Sequence, residues 1–458
     1  MGEPDTTSMD GEESRTEAVV VLDIHPDEFG CRQLEFVSAL SNLLEIDASD
    51  VLITDYQAGC TIVFLLLPGD AAENLRLALN RQLEDPAVGG FVNEFRVRNA
   101  WTANARLRPV MPVTQDKNNS RIFSWVHISD IHFQNPDGKH YAAQGAILKS
   151  FLDALPPALK SFSKNPDAVF FTGDVAHSGD PSEYDLAEEF LARLKEILPN
   201  QDCQILIVPG NHDVHRPDAD RYPDDEKFAQ ANLKTQLNVV ELEANADRAG
   251  RFSRLLSRLD NYRNFVKNCT AVSKPEINHE WFFTHRLEKN PFSIGIAGLN
   301  SAWRASSDKD RGRLIIGLPQ IEKAEDNLNS CNIRVLLAHH PLASDWFCPF
   351  DEDYQEKKLK FFDVVVRGHE HRGRSKLVAG PKGKPNPWIS GAALYSREER
   401  PRGFNICRLN LDKGWLEAVF WYHDDDFNWT LDTSERRNGI YHYTLSTETQ
   451  RRLGRKRR

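Results

Sequence analysis

The chain has 458 residues, 40% apolar and 27% charged, enough for two or three folded units with a large core, and this excludes a disordered or fibrous protein. Its 57 lysines and arginines against 67 aspartates and glutamates give a formal charge of −10, which excludes a broad basic face for nucleic acid or an anionic bilayer and leaves only local contacts. The seven cysteines are odd in number, scattered and never spaced C-x-x-C, so neither a disulfide framework nor a thiolate zinc site is expected and a reducing, cytoplasmic setting fits best.

In chain order, residues 1–17 carry six acidic side chains and no apolar signal-peptide core, and read as a flexible acidic lead. Residues 18–103 read as a small α/β domain of β-α-β-β-α-β order, a ferredoxin-like sandwich. Its strands are Ala18 to Ile24, Val51 to Asp55, Cys60 to Leu67 and Phe91 to Val97. Its helices are marked by Leu34, Phe36, Val37, Leu40, Leu43 and Leu44, and by Leu75, Leu79 and Leu83. The apolar run from Cys60 to Leu67 is far below the roughly 20 residues of a membrane span, and no membrane association is expected.

Residues 104–119, rich in proline, asparagine and aspartate, read as a linker. A larger domain follows over 120–446. Strands ending at Asp130, Asp174, Pro209, Leu299, His339 and Gly368 each run into a polar loop, with helices at Tyr141 to Phe162, Ser182 to Leu198 and Pro319 to Asn329 between them. Residues 214–292 read as a helical insertion or cap whose amphipathic helix runs from Phe252 to Val266. Trp388 to Leu394, Phe404 to Leu411 and Trp415 to Tyr422 read as closing strands. Residues 447–458 form a basic tail, read as a solvated end, and Arg451 to Arg458 hold six cationic side chains.

Chemistry concentrates at the strand ends, in Ser129-Asp130-Ile131-His132, Gly173-Asp174, Gly210-Asn211-His212-Asp213, His339-His340-Pro341 and Gly368-His369-Glu370-His371. Each alone is an ordinary turn or solvated loop, but five in fixed order across one domain are a ligand set. Imidazoles, carboxylates and one amide suit iron, manganese or zinc. A bridging aspartate can serve two cations about 3.5–4 Å apart, the arrangement that neutralises a phosphate ester and acidifies a bound water. Gly173, Gly210 and Gly368 would let the backbone turn beside the ligands.

The order D-x-H, G-D, G-N-H-D, H, G-H-x-H resembles the calcineurin-like metallophosphoesterase superfamily over roughly residues 120 to 430. The resemblance implies a metallophosphatase-type β-sandwich flanked by helices, preceded here by the small β-α-β-β-α-β domain. It also implies two metal ions, Mn²⁺, Fe²⁺/Fe³⁺ or Zn²⁺. Asp130, His132 and His371 would hold one, Asn211, His339 and His369 the other, and Asp174 both. His212 would act as proton donor or transition-state stabiliser with Asp213 orienting it, and a metal hydroxide would attack phosphorus in line.

Val175-Ala176-His177-Ser178-Gly179 and Asp213 depart from the D-R-G and G-N-H-E of protein phosphatases. Thr172 to Gly179 with Ser182-Glu183-Tyr184, and Gly298-Leu299-Asn300-Ser301, resemble the class III cyclic nucleotide phosphodiesterases. The expected substrate is therefore a phosphodiester or nucleotide. Alternatives are a nuclease aided by the basic tail and a metal-binding sensor or scaffold of a bacterial signalling or defence system.

Among the neighbouring residues, His177 and His215 read as exposed loop histidines, Glu370 as solvated or supporting, Arg216 and Arg372 as surface cations, and His340 as either packed or substrate-touching. Tyr56-Gln57-Ala58-Gly59-Cys60-Thr61 resembles small adaptor domains fused to effector enzymes, which implies partner recruitment or self-association. The alternative is a passive extension.

Overall fold

The structure, a computed structural model, describes residues 15–22, 26–48, 51–57, 61–68, 71, 74–75, 91–92, 95, 97–102, 121–135, 141–163, 165–244, 246–307, 309–370, 375–380, 384–395, 402–423, 428–433 and 439–454. The chain divides into two compact units, Met1–Lys117 and Asn118–Arg458.

In the first unit β1 (Arg15–Leu22), β2 (Leu52–Gln57), β3 (Thr61–Pro68) and β4 (Val97–Thr102) form an antiparallel sheet of order β2-β3-β1-β4. Alternate residues Ala18, Val20 and Leu22 of β1 and Val63, Leu65 and Leu67 of β3 are buried, as a period of two requires, together with Phe36 and Leu40 of α1 (Pro26–Leu44). The strand expected over Phe91 to Val97 begins only at Val97. Phe91 and Phe95 instead lie one helical turn apart, with the Phe95 amide donating to the Phe91 carbonyl at 3.1 Å. Their rings sit 5.3 Å apart and pack on Phe36 at 5.6 and 5.2 Å. Extended backbone would separate the two Cα atoms by about 13 Å and open this cluster. Leu79, Leu83, the linker and the lead before Arg15 fall outside the described residues.

The second unit is built on two seven-stranded sheets. One carries β5 (Ile122–Ile128), β6 (Ala168–Thr172) and β7 (Gln204–Val208), parallel to one another, continued antiparallel by β15 (Gly403–Asn410), β16 (Trp415–His423), β17 (Trp429–Leu431) and β18 (Ile440–Thr444). The other runs in order β13 (Ser375–Gly380), β14 (Lys384–Ser390), β12 (Val364–Arg367), β11 (Ile333–Ala338), β10 (Phe292–Leu299), β9 (Phe282–Lys289) and β8 (Ile277–Asn278), with β10, β11, β12 and β14 parallel.

Strands of this kind are apolar on both faces, and β6 (AVFFT) is buried throughout. Its Ala168 and Phe170 join Trp125, Leu206, Val335, Leu337, Val364 and Val366 in one core cluster. Its Val169 and Phe171 join a second, with Phe151 of α2 (Tyr141–Phe162) and Phe190 of α3 (Pro181–Ile197).

The cap differs from the sequence expectation in two ways. Its helices, α4 (Pro223–Asn232), α5 (Gln236–Ala244), α6 (Ala246–Leu256) and α7 (Asp260–Asn268), end at Asn268, because β9 pairs with β10 and β8 with β9, so that both belong to the sheet. The single amphipathic helix expected over Phe252 to Val266 is broken by a 3-10 turn at Ser257–Leu259 between α6 and α7.

Glu226 of α4 fastens the cap: Arg304 donates to both its oxygens (2.8 and 2.9 Å) and the buried Arg258 adds a third bond at 3.0 Å. Burial alone would raise its carboxyl, but Arg304 and Arg258 outweigh burial and bring it from 4.5 to about 2. A carboxyl depressed on folding stabilises above its unfolded pKa and loses that contribution as pH falls toward the folded one. Glu226→Gln is therefore expected to cost roughly 2 kcal/mol at pH 7, with the gap to wild type closing between about pH 4.5 and 2 in urea titrations.

After α8 (Leu318–Leu328) and α9 (Pro349–Lys358), the last described helix, α10 (Thr447–Arg452), docks on the unit. Arg452 bonds Asp363 at 2.5 Å and Leu453 is buried, so this part of the basic tail is anchored rather than solvated. Residues 455–458 fall outside the described residues. No helix among the described residues is long and apolar enough to cross a membrane.

Candidate metal centre

Five strands, β5, β6 and β7 of one sheet and β11 and β12 of the other, deliver the motif residues from their carboxyl ends. The turns that follow are unusual. Asp130 (φ 55°), His132 (54°), Asp174 (54°) and His369 (71°) all sit in the left-handed region, at a cost of about 1–2 kcal/mol each for a side-chain-bearing residue. Four expected ligands sharing this conformation mark a site that the surrounding fold forces into shape.

The carbonyl of Gly173 accepts the Asp130 amide at 3.0 Å, and that of Asp174 accepts the amides of Ile131 and His132 at 3.1 and 3.0 Å. Gly173 has φ 91°, and a Cβ there would lie 2.6 Å from His339 Nδ1. Gly210 is required by proximity instead: its Cβ would lie 2.2 Å from Asp174 Oδ1.

The donor atoms converge. Asn211 Oδ1, His339 Nε2 and His369 Nδ1 form a triangle with every edge 3.1 Å. The Nδ1–H of His339 donates to the Thr172 carbonyl at 2.7 Å, so its Nε2 lone pair faces the triangle. Asp174 Oδ2 lies 3.3 Å from His339 Nε2 and 3.7 Å from His132 Nε2, between the two groups of ligands, while its Oδ1 accepts the His212 amide at 2.8 Å. Asp130 Oδ2 accepts the His369 amide at 3.2 Å, tying the two sheets together at this point.

Three groups each bring three ligand-type atoms within 4.8 Å of one another: Asp130, Asp174 and His339; His339, His340 and His369; and His132, His177 and His212. Nitrogen and oxygen lone pairs this close repel unless a positive charge lies among them, and the donor set fits a hard or borderline cation. Burial would lower His339, but Asp174, with Asp130 and the Thr172 carbonyl, raises it to about 9. Burial would likewise raise Asp174, and the imidazoles of His339, His212 and His132 hold it well below the usual carboxylate range.

Asp213 departs from its expected part. Its buried carboxylate does not orient the His212 ring but accepts the amides of Gly210 (2.8 Å), Ala176 (2.9 Å) and Val175 (3.3 Å) and the Tyr184 hydroxyl (3.1 Å). Burial and the neighbouring Asp174 push its carboxyl up to about 7, against the pull of those amides. The ring of His212 is oriented by the carbonyl of His177, which accepts its Nδ1–H at 2.7 Å. The loop leading into α3 is held by a capping box: Asp180 Oδ1 accepts the Ser182 amide (2.9 Å) and Glu183 Oε2 those of Asp180 (3.2 Å) and Ser178 (2.8 Å).

The calcineurin-like phosphoesterase family model matches residues 123–373, which is more than half of the chain and spans β5 to β12. The chain belongs to the calcineurin-like phosphoesterases. It is 21% identical over 314 residues to the uncharacterized metallophosphoesterase-like protein YydB of Bacillus subtilis, covering 67% of this chain and 60% of that one. It is 34% identical over 93 residues to the glycerophosphodiester phosphodiesterase GpdQ of Enterobacter lignolyticus (19% of this chain, 28% of that one). It is 36% identical over 92 residues to the cAMP/cGMP dual specificity phosphodiesterase MT0825 of Mycobacterium tuberculosis (19% and 26%). The chain thus spans less than two thirds of each of these relatives. A solved Vps29 of Entamoeba histolytica matches at 12% identity and a TM-score of 0.29, over 70% of this chain and all of that one.

In this calcineurin-like phosphoesterase the structure gathers Asp130, His132, Asp174, Asn211, His212, His339 and His369 at one place. His371 and Arg372 fall outside the described residues. His177 is no bystander, since its ring stacks on His212 at 5.5 Å. His340 is buried, its Nδ1 2.9 Å from Ser301 Oγ. His215 bonds Asp218 at 2.8 Å, Arg216 is exposed, and Glu370 pairs with the buried Arg367 at 2.6 Å.

Sequence reasoning missed a buried polar chain behind the ligands. Asn405 Nδ2 donates to His127 Nδ1 (3.0 Å), His127 Nε2 to Thr172 Oγ1 (2.8 Å), Thr172 Oγ1 to Ser129 Oγ (2.9 Å), and Ser129 Oγ to the Thr172 carbonyl (3.1 Å) that also holds His339. Burial drives His127 down to about 3, so it stays neutral and can occupy this middle place. The available signal was a hydroxyl side chain just ahead of each of the first two motif aspartates, Ser129 one residue before Asp130 and Thr172 two before Asp174.

Proposed function

We propose that the chain is a dinuclear metal-dependent phosphodiesterase acting on nucleotide diesters, cyclic nucleotides among them. The observation that carries this reading is the 3.1 Å triangle of Asn211, His339 and His369 with the Asp174 carboxylate set between it and His132. Asn211, His339 and His369 would hold one cation, Asp130 and His132 with His371 the other, and Asp174 would bridge. Such a pair neutralises the phosphate and lowers the pKa of a bound water toward neutrality.

The chain's own residues do the rest. With Nδ1 committed to the His177 carbonyl, His212 turns Nε2 away from that loop, and in its protonated form that nitrogen can donate to the leaving oxygen. Asn211 adds no negative charge, so the pocket stays attractive to an anion. Asp213 keeps the Asp174 and Asn211 loops in register. The names of two relatives, a glycerophosphodiester phosphodiesterase and a cAMP/cGMP phosphodiesterase, support a diester substrate.

The test is hydrolysis of bis(p-nitrophenyl) phosphate, cyclic mononucleotides and short oligonucleotides by the metal-reconstituted full chain. Two cations per chain and turnover that chelation abolishes are expected. His212→Gln should keep its metal and lose roughly 10²–10⁴ in kcat. A metal-loaded protein inert on every diester overturns the reading.

A further inference from the structure

The donor triangle has an aromatic neighbour that the ligand set does not use. Trp346 lies in the loop after His339-His340-Pro341 and is half-buried, its ring meeting that of His369 at 4.3 Å and 89° and lying 5.9 Å from His340. The position is fixed before any ligand arrives. The Trp346 carbonyl accepts the amides of Gly312 (3.0 Å) and Leu314 (3.2 Å), and Leu314 forms a β-bridge with Phe347.

The loop so tethered exposes Lys309, Arg311 and Arg313, and the Arg311 guanidinium lies 5.8 Å from the Trp346 ring centroid while its Nε donates to Asp345 Oδ2 at 2.9 Å. Packing the core cannot be the whole role of an indole left half in water beside His369 and a guanidinium. Its chemistry suits a flat π-system carried by an anion.

We propose that Trp346 is the stacking platform for a nucleobase, so that this centre selects nucleotidyl phosphodiesters over alkyl ones. This rests on the reading of the centre as a phosphate site. A phosphate held at the triangle has its base within the reach of one sugar, on the side where Trp346 stands against His369. The Arg311 guanidinium, 5.8 Å from the ring centroid, then stands beside the base. Stacking of this kind is worth roughly 5- to 150-fold in affinity per base.

The experiment is calorimetric binding of adenosine 5′-monophosphate and of methyl phosphate to the metal-loaded full chain, which needs no turnover. Wild type should bind the nucleotide at least about tenfold more tightly than methyl phosphate. Trp346→Leu should weaken the nucleotide alone and reduce that preference to less than about threefold, whereas Trp346→Phe should keep most of it. Metal content should be the same in all three proteins. An equal loss for both probes would mean that Trp346 only supports His369, and an unchanged nucleotide affinity would mean that nothing stacks there; either result overturns the platform. A wild type that binds methyl phosphate without preferring the nucleotide also overturns it while sparing the phosphodiesterase reading. A wild type that binds neither probe defeats both.

Discussion

Asp174→Asn is expected to strip the centre: metal content should fall from two cations per chain to one or fewer, and diesterase activity by at least about 10³-fold. The substitution is nearly isosteric. It keeps an oxygen for the His212 amide, which Asp174 Oδ1 accepts at 2.8 Å, but removes the charge lying 3.3 Å from His339 Nε2 and 3.7 Å from His132 Nε2. Without that carboxylate nothing opposes the burial that lowers His339 except the more distant Asp130 and the Thr172 carbonyl. Because the loss is confined to the strand ends, the metal-free variant should unfold within a few degrees of metal-free wild type. Elemental analysis and thermal scans in chelator check both halves. A variant that retains two cations would show that Asp174 does not bridge.

The second large effect is on stability. Asp213→Ala leaves three backbone amides and the Tyr184 hydroxyl without their acceptor in a fully buried place, and is expected to cost about 3–5 kcal/mol in urea unfolding. Tyr184→Phe, which removes one of those bonds, should cost about 1 kcal/mol. The loops of Asp174 and Asn211 are the two that Asp213 joins, so metal affinity should fall by roughly 10- to 100-fold in Asp213→Ala. If the variant unfolds like wild type, the carboxylate is not the clasp the bonding pattern makes it.

The site was more legible than its support. Each expected ligand segment follows a strand whose apolar run stops abruptly before it, as Val169-Phe170-Phe171 stops before Gly173-Asp174, so five strand ends could be read from hydropathy alone. What hydropathy does not carry is which polar neighbour bonds to which. Asp213 looked like an orienting group for His212 because it follows it, yet a 3-10 turn over Asn211–Asp213 sends its carboxylate back to the Gly210 amide. The Phe91 to Val97 segment failed for a related reason: a four-residue spacing of aromatics puts both rings on one face of a strand or a helix alike, and only the position of Phe36 decides between them. The cap was overextended because Thr284, Arg286 and Glu288 make β9 polar on one face, which resembles a charged helix until β10 is there to pair with it.

Asp130, His132, Asp174 and Asn211 stand on the ends of one sheet, His339 and His369 on the ends of the other. Elsewhere the core between the two layers is apolar, which resists separation but permits sliding, and Lys289 pairs with Asp167 across it. Cations at the strand ends would act as a bolt through both layers, fixing their relative translation. Release of the ions and loss of registry between the sheets would then be a single event, so the melting temperature should climb with free metal concentration, by the equivalent of about 2.7 kcal/mol at a hundredfold excess over Kd.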